Sequence, residues 1–514
     1  YCGDAFRKYL EKKYGSIDQL NTAWGTVFWS QTYSCFEDVV LPFPNRSNPS
    51  MIMDYFRFRN EAINNFHETV ADVIRKKDPD AIITHNGPGF GTPANMFKQG
   101  KVLNMPGVNN APTKSDPDSQ CAKMAFMRSI NNRGFHVLEQ QVGMLTVPDG
   151  LYKSPEPKLK ELYDMLAFAQ GANGMLHYRF RQCLFGDEQF HGGILPPDGG
   201  RYHRVFQETK EEGDTIMTVG EHVKEEMPRH RIAIGFSYET LYSNISYRYQ
   251  SIFPYLRFVQ NYYTALNQRG YLVDFIDIDD PDTELTDYSW LLLPTLLIAD
   301  KWQAQRLERF VQDGGHLVCG TWAGIKDDRN QLIPLQRPCY LTDLFGINIY
   351  DFDIIPQNET LECFAPCMDE TVEGAHCIEH IEAREAETVL TAKDSLGTNH
   401  CVGSVNHFGN GKAWYFGTFL TESALNTVLP YILQDEGYEP EIDTESSGVI
   451  YHRRPLKDNG MLWFLFNFSE QPKQVNFKTK GVDFLSPDTV LQGRLEIPPR
   501  SYRLLKTSDS TSST

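Results

Sequence analysis

The sequence predicts an α/β protein in three parts: a parallel-sheet unit, a second, doubly wound α/β unit, and a small antiparallel sandwich. Three observations carry that prediction. Short apolar runs alternate with helical patterns over residues 1–212, the alternation restarts near residue 230, and beyond residue 434 only short alternating runs remain.

The first unit, 1–212, opens with a helical pattern near 3–14 that puts Phe6, Tyr9, Leu10 and Tyr14 on one face, and a second spans 50–77. "AIITHNG" (81–87) and "VLNMPG" (102–107) read as strands. A helical stretch near 116–131 precedes "FHVLEQQ" (135–141), and another near 157–171 precedes "GMLHYRF" (174–180). Strands separated by helices of this length build βαβ units. All four runs turn polar at their C-terminal ends, where parallel barrels place their active sites. The second unit, 213–434, holds "RIAIGF", a helix at 252–268, "YLVDFID", "WLLLPTLL", a helix at 301–313, "GHLVCG", "GKAWYFGT" (411–418) and a closing helix. Residues 435–507, with "MLWFLFNF" and "KQVNFK", read as the small antiparallel β-sandwich. The tail 508–514, "SDSTSST", is expected to be disordered.

Composition narrows the function. The 514 residues carry 49 basic and 67 acidic side chains, a net charge of −18 that repels phosphate backbones and excludes nucleic acid as the expected partner. No apolar run approaches the ~20 residues a membrane helix needs. Ten cysteines without dense clustering point to reduced thiols in a cytoplasmic protein. Aromatics beside polar residues, as in "WGTVFWSQTY", suit the C–H faces of sugars, although core packing accounts for most Tyr and Phe.

The strand 135–141 is apolar from Phe135 to Leu138 and ends on Glu139, Gln140 and Gln141. In a regular strand Val137, Glu139 and Gln141 share one face. A carboxylate at a barrel rim can serve as nucleophile, acid or base; one at a strand end can equally be a structural ion-pair partner. On the next strand His177, Arg179 and Arg181 alternate, and an arginine there would keep a neighbouring carboxylate ionised. Glu188 and His191 lie in a loop flanked by Gly186, Gly192 and Gly193; the glycines disfavour a helical metal motif and favour hydroxyl recognition. Cys363, Cys367, His376, Cys377 and His380 fall within 18 positions. Only their first pair has zinc-site spacing, so free thiols in a variable loop are the expectation. Cys319, in "HLVCGTWAG", lacks a nucleophile elbow and reads as a buried thiol. No dinucleotide, Walker A or zinc-protease motif occurs.

"YGSIDQLNTAWGTVFWSQTYSCFEDVVLP", "HVLEQQVG", "HYRFRQ" and "EQFHGGIL", with "GKAWYFGT" and "FLFNFS" further on, resemble glycoside hydrolase family 42, the β-galactosidases. The resemblance implies a (β/α)8 TIM barrel, an amidotransferase-like trimerisation domain and a C-terminal β-sandwich, with hydrolysis of terminal β-D-galactosides with retention. On that resemblance 81–87, 102–107, 135–141 and 174–180 are strands five to eight, and residues 1–212 are the C-terminal half of the barrel. Glu139 matches the nucleophile, and Trp29, Tyr178, Glu188 and His191 match sugar-pocket residues, with Arg179 beside them. The acid/base glutamate is expected upstream of Tyr1, not in this chain, which is therefore expected to be a fragment, weakly active or inactive by itself. Cys2 resembles the last ligand of a four-cysteine zinc site, so no cofactor is expected unless upstream cysteines exist. A homotrimer acting on β-galactosides is the implied assembly. "GMLTVP" lacks the family's Trp after the nucleophile, and "NMPGVNNAP" lacks its Asp and Tyr. The alternatives are a non-catalytic sugar-binding or assembly protein with a degenerate barrel and, from the second unit alone, an amidotransferase.

Overall fold

Helix α1 (Cys2–Tyr14) and α2 (Ile17–Trp24) fold against α3 (Pro49–Arg75), burying Phe6, Leu10, Leu20, Trp24 and Met51 together. The structure is a computed structural model that describes residues 1–43, 47–112, 116–131, 133–147, 150–247, 253–393, 398–440, 442, 448–486 and 489–508. Local chemistry sets where these helices begin. Ser16 accepts from the Gln19 amide, and Asn48 accepts from Ser50 and Met51 just before Pro49, the residue best suited to a first helical turn.

The unit continues with β1 (Asn86–Gly87), α4 (Met96–Val102), β2 (Gly107–Asn110), α5 (Pro117–Ser129), β3 (Phe135–Gln141), a hairpin β4–β5 (Leu145–Val147, Gly150–Tyr152), α6 (Leu159–Ala169), β6 (Ala172–Tyr178) and α7 (Arg204–Gly220). Strands β1, β2, β3 and β6 form one parallel sheet in that order. The strand expected at 102–107 is corrected. Val102 still belongs to α4, and pairing starts at Gly107, because Pro106 has no N–H for a ladder; its carbonyl instead accepts from His136 N at 2.8 Å. Only the last two residues of the expected strand 81–87 pair, since β1 has a neighbour on one side alone.

The second unit comprises β7 (Ile232–Phe236), α8 (Tyr238–Ser246), α9 (Tyr255–Gln268), β8 (Val273–Asp277), β9 (Trp290–Leu293), α10 (Lys301–Gln312), β10 (His316–Cys319), α11 (Thr342–Phe345), β11 (Ile347–Ile354), β12 (Leu361–Ala365), β13 (Glu370–Ala383), β14 (Glu387–Lys393), β15 (Asn399–Phe408), β16 (Gly411–Phe416), β17 (Thr418–Leu420) and α12 (Glu422–Asp435). The expected doubly wound core is present as the parallel series β8-β7-β9-β10-β16. The sheet then runs on through antiparallel β15, β14, β12, β13 and β11, and β17 pairing with β13 off this path makes eleven strands, an extension the sequence reading left unassigned. The expected variable loop around Cys363 and Cys377 is therefore corrected: both thiols are buried inside β12 and β13.

The third unit is an antiparallel sheet in the order β18 (Ile450–Pro455), β19 (Met461–Asn467), β22 (Ser501–Thr507), β20 (Lys473–Asp483), β21 (Val490–Ile497), in which β20 meets β22 only at Val482 and Asp483. Both faces of β19 are covered, and all seven of its residues are buried. Met461, Trp463 and Leu465 face the sheet's own core with Tyr451, Phe477 and Ile497, whereas Leu462, Phe464 and Phe466 face the first unit. Phe168 of α6 meets Phe464 at 6.0 Å, and Tyr163 meets Phe468 at 5.2 Å. Helix α6 thus covers the face of β19 that β20 and β21 do not. Buried Arg454 ties the junction by donating to Phe168 O, Ala172 O, Asn173 Oδ1 and Lys224 O.

The first two units are equally fused. Phe126 of α5 packs edge-on against Phe236 and Phe275, and Arg128 bonds Asp274 at 2.9 Å in a buried pair. Among the described residues no helix is long and apolar enough to cross a membrane. The tail expected to be disordered lies, from residue 509 on, outside the described residues.

Candidate active site

Glu139 stands near the C-terminal end of β3, half-buried, and its Oε1 accepts from Asn86 Nδ2 of β1 at 2.7 Å. The register slips beside it on both sides: against β2 between Val108 and Asn109, and against β6 between Val137 and Gln140. Such irregularities re-aim side chains. The simple alternation is thereby broken, for Val137 and Gln141 are buried while Glu139 reaches the rim. Below it, Asn110 Nδ2 donates to Gln140 Oε1 at 2.9 Å in a buried amide pair.

The strand's exit loop meets the 186–193 loop back to back. Gly192 N donates to Met144 O at 2.7 Å, and a Cβ on Gly143 would come within 2.9 Å of Gly192 Cα. This contact seats His191, which is 5% exposed. Burial lowers its basicity, with the Glu188 and Glu139 carboxylates opposing and Arg179 assisting, so it is a neutral imidazole near pH 7. Its Nδ1 is buried and meets no partner among the described residues.

Tyr178 stands edge-on to His191 at 5.0 Å and donates to Glu188 Oε2 at 2.8 Å. That bond raises the Tyr178 phenol above its usual range. Arg179 Nη2 donates to Tyr178 Oη at 2.6 Å and to Glu188 Oε2 at 3.3 Å, with its guanidinium over the Tyr178 ring. A carboxylate, a phenol, a guanidinium and a neutral imidazole thus form a wall able to accept from and donate to hydroxyls.

Other expected placements differ. Arg179 bonds Glu188 and Tyr178 rather than Glu139, so the expected arginine partner of Glu139 is corrected to the Asn86 amide. Arg181 lies beyond β6 and bonds Pro197 O at 2.6 Å. His177 turns away into a buried charged set with Lys160, Asp164 and Glu212. Trp29 is 79% exposed on a short turn and packs on Phe28 at 4.8 Å; no hydrogen bond or ring contact joins it to Glu139, His191 or Arg179. Cys2 is exposed and belongs to no group of three potential ligands among the described residues. The only such group there is Asp164, His177 and Glu212, and Lys160 Nζ already stands among them. Cys319 is buried, and burial pushes its thiol far up, as a structural residue requires.

Asn86 was missed, although its signal lay in the polar end of "AIITHNG". Glu212, inside the charged run "TKEEGDT", reads as solvated and gave no signal.

Three family models match the chain in succession: β-galactosidase over 1–219, β-galactosidase trimerisation domain over 230–439, and β-galactosidase C-terminal domain over 448–507. The chain belongs to glycoside hydrolase family 42, the β-galactosidases. Within that family it is 31% identical over 377 residues to a β-galactosidase of Halorubrum lacusprofundi, a match covering 69% of this chain and 52% of that one. It is 26% identical to a β-galactosidase of Geobacillus kaustophilus, over 88% of this chain and 67% of the relative. The chain thus spans about half to two thirds of the length of these relatives. The crystal structure of a β-galactosidase from Bacillus circulans sp. alkalophilus shares the fold at a TM-score of 0.90 and 22% identity, covering 98% of this chain and 76% of that one. That of the polyextremophilic β-galactosidase from Halorubrum lacusprofundi gives 0.85 at 25% identity, covering 99% and 76%.

Proposed function

We propose that this family 42 chain carries the nucleophile half of a retaining β-galactosidase site. The observation that carries the reading is the placement of Glu139, held by Asn86 at a parallel-sheet rim beside His191 and the Tyr178–Arg179–Glu188 wall. A retaining glycosidase needs a nucleophilic carboxylate and an acid/base carboxyl about 5–5.5 Å apart. Glu139 attacks the anomeric carbon, the glycosidic bond breaks, and a glycosyl-enzyme forms. The partner carboxyl gives its proton to the leaving oxygen and then takes one from water. In this reading residues 1–212 are strands five to eight of a (β/α)8 barrel, and the acid/base glutamate lies in sequence outside these 514 residues. His191, neutral and with an unmet Nδ1, binds a sugar hydroxyl together with Tyr178, Arg179 and Glu188.

The same reading makes the protein a cytoplasmic homotrimer, in keeping with the trimerisation-domain match over 230–439, and it needs no cofactor. The test uses 2,4-dinitrophenyl 2-deoxy-2-fluoro-β-D-galactoside, whose leaving group departs without a proton and therefore needs no acid/base residue. The expected result is a covalent fluorogalactosyl adduct on the peptide containing Glu139, lost in Glu139→Gln. Reversible galactose binding without any adduct would instead make the protein a sugar-binding one, and an adduct on another carboxylate would remove Glu139 from its role.

A further inference from the structure

Beneath the Tyr178–Arg179 wall lies a set of four ionisable side chains that the reaction itself does not use. Lys160 Nζ is 2.8 Å from Asp164 Oδ2 and 2.6 and 2.7 Å from the two Glu212 oxygens. His177 Nε2 is 3.0 Å from Asp164 Oδ2, 3.2 Å from Glu212 Oε1 and 3.3 Å from the lysine. Lys160, Asp164 and Glu212 are all but completely buried, and His177 is 17% exposed. Three elements meet here: α6 brings Lys160 and Asp164, α7 brings Glu212, and β6 brings His177, the residue immediately before Tyr178.

Charge decides what this set can tolerate. An ammonium facing two carboxylates leaves one negative charge in a dry interior, and a proton on His177 brings the total to zero. Burial disfavours that proton, but hydrogen bonds to Asp164 and Glu212 outweigh burial and push His177 up to about 9. Burial and the neighbouring Asp164 raise Glu212 as well, while His177 and Lys160 hold it down, so the single proton that neutralises the set is shared between His177 and Glu212. The groups facing His177 are Lys160 and Asp164 from α6 and Glu212 from α7. Glu161, on α6, is engaged by Tyr502 of β22, and Arg179 with Glu188 continues beyond the strand's end.

The strand that carries the wall needs such an anchor. Among the described residues β6 pairs only with β3, and that pairing skips a register between Val137 and Gln140 before resuming at His177 and Tyr178. We propose that His177, as an imidazolium clamped between Asp164 and Glu212, is a positioning residue that fixes the end of β6 and so aims Tyr178 and Arg179 at the sugar. This rests on the β-galactosidase reading and adds to it a charge-balanced support that sets the alkaline limit of sugar binding.

The experiment follows inactivation by the same dinitrophenyl fluorogalactoside from pH 6 to 10, separating KI, which reports the wall, from kinact, which reports Glu139. In the unsubstituted protein KI rises through a single step near pH 9 while kinact does not step there. In His177→Gln, which cannot be charged, KI is raised about 10- to 100-fold at pH 7, the scale of a misplacement of up to an ångström, and is flat with pH. His177→Gln with Glu212→Gln restores zero net charge and recovers most of the loss. A merely structural role would lower Tm in the single variant without moving the pH profile of KI. A labelled protein with pH-independent KI, a His177→Gln variant with unchanged KI, or a double variant no better than the single one overturns the proposal. Absence of labelling at every pH overturns the Glu139 reading, and this proposal with it.

Discussion

Replacing Gly192 by alanine tests whether the back-to-back packing of two loops sets the distance between Glu139 and His191. A Cβ at that position would stand 2.7 Å from Met144 N and 2.8 Å from Gly143 Cα. Both neighbours are backbone, so neither can swing aside. Ordinary contact begins at 3.4 Å, and the loops must part by about 0.7 Å to reach it. The Gly192–Met144 hydrogen bond, now 2.7 Å, is then stretched out of useful range. Overpacking costs about 1–3 kcal/mol and the lost bond about 1 kcal/mol more, a local strain relieved by opening the site. A shift of most of an ångström between the Glu139 carboxylate and the His191 imidazole is expected to slow labelling of Glu139 about 10- to 100-fold. The assay is the rate of fluorogalactosyl transfer, followed by intact mass, with the Tm measured alongside. Gly186→Ala is the control: it lies in the same loop with φ of 86° but no atom within 4 Å of the added Cβ, so it costs about 1–2 kcal/mol of backbone strain without pressing on β3. Labelling of Gly192→Ala within twofold of the parent would refute the reasoning.

Two more outcomes follow from single contacts. Asn86→Ala removes the donor to Glu139 Oε1; hydrogen bonds to charged groups contribute about 1.5–3 kcal/mol, less at an accessible rim, so kinact should fall about tenfold with the galactose dissociation constant unchanged within a factor of two, as read by stopped labelling and calorimetry. Lys326 is buried against Ser243, Asn330 and the Tyr247 ring, and burial lowers it to about 7. The unfolded chain therefore binds this proton more tightly, so the stability cost of Lys326 is full below pH 7 and disappears as pH rises toward 10.5. Lys326→Met should accordingly stabilise the protein by about 4 kcal/mol more at pH 7 than at pH 10.5 in urea unfolding, and an equal gain at both values would contradict that account.

What the sequence made legible was mostly what neighbouring residues decide. The helices expected at 50–77 and 116–131 fell within a few residues of their observed ends because Asn48 and Asp116 cap them locally, whereas α2, α4 and α7 were not read from the sequence. Glu139 was visible because a dry strand ending in a carboxylate needs a reason. Strands β11–β15 were not visible: their alternation is interrupted by charge and by register slips at Ile349/Asp351 and Thr388/Leu390, and their pairing is non-local. Arg179 was expected to serve the strand beside it, yet Glu188, nine residues on, won it through a loop whose path no periodicity encodes. Glu212 reaches Lys160 from 52 residues away, a distance at which a charged run gives no warning of burial.

The two-sided burial of β19 has a practical consequence for anyone recombining this chain. Its C-terminal segment cannot be lifted out as a cassette, because severing it strips Phe464 and Phe466 of their cover and leaves Phe168 open to water on the other side of the cut. Any chimaera that exchanges residues 448–507 must carry a matched α6, and with it Lys160 and Asp164 beneath the Tyr178–Arg179 wall. Grafting at the far end of the molecule is thereby tied to the chemistry at its rim.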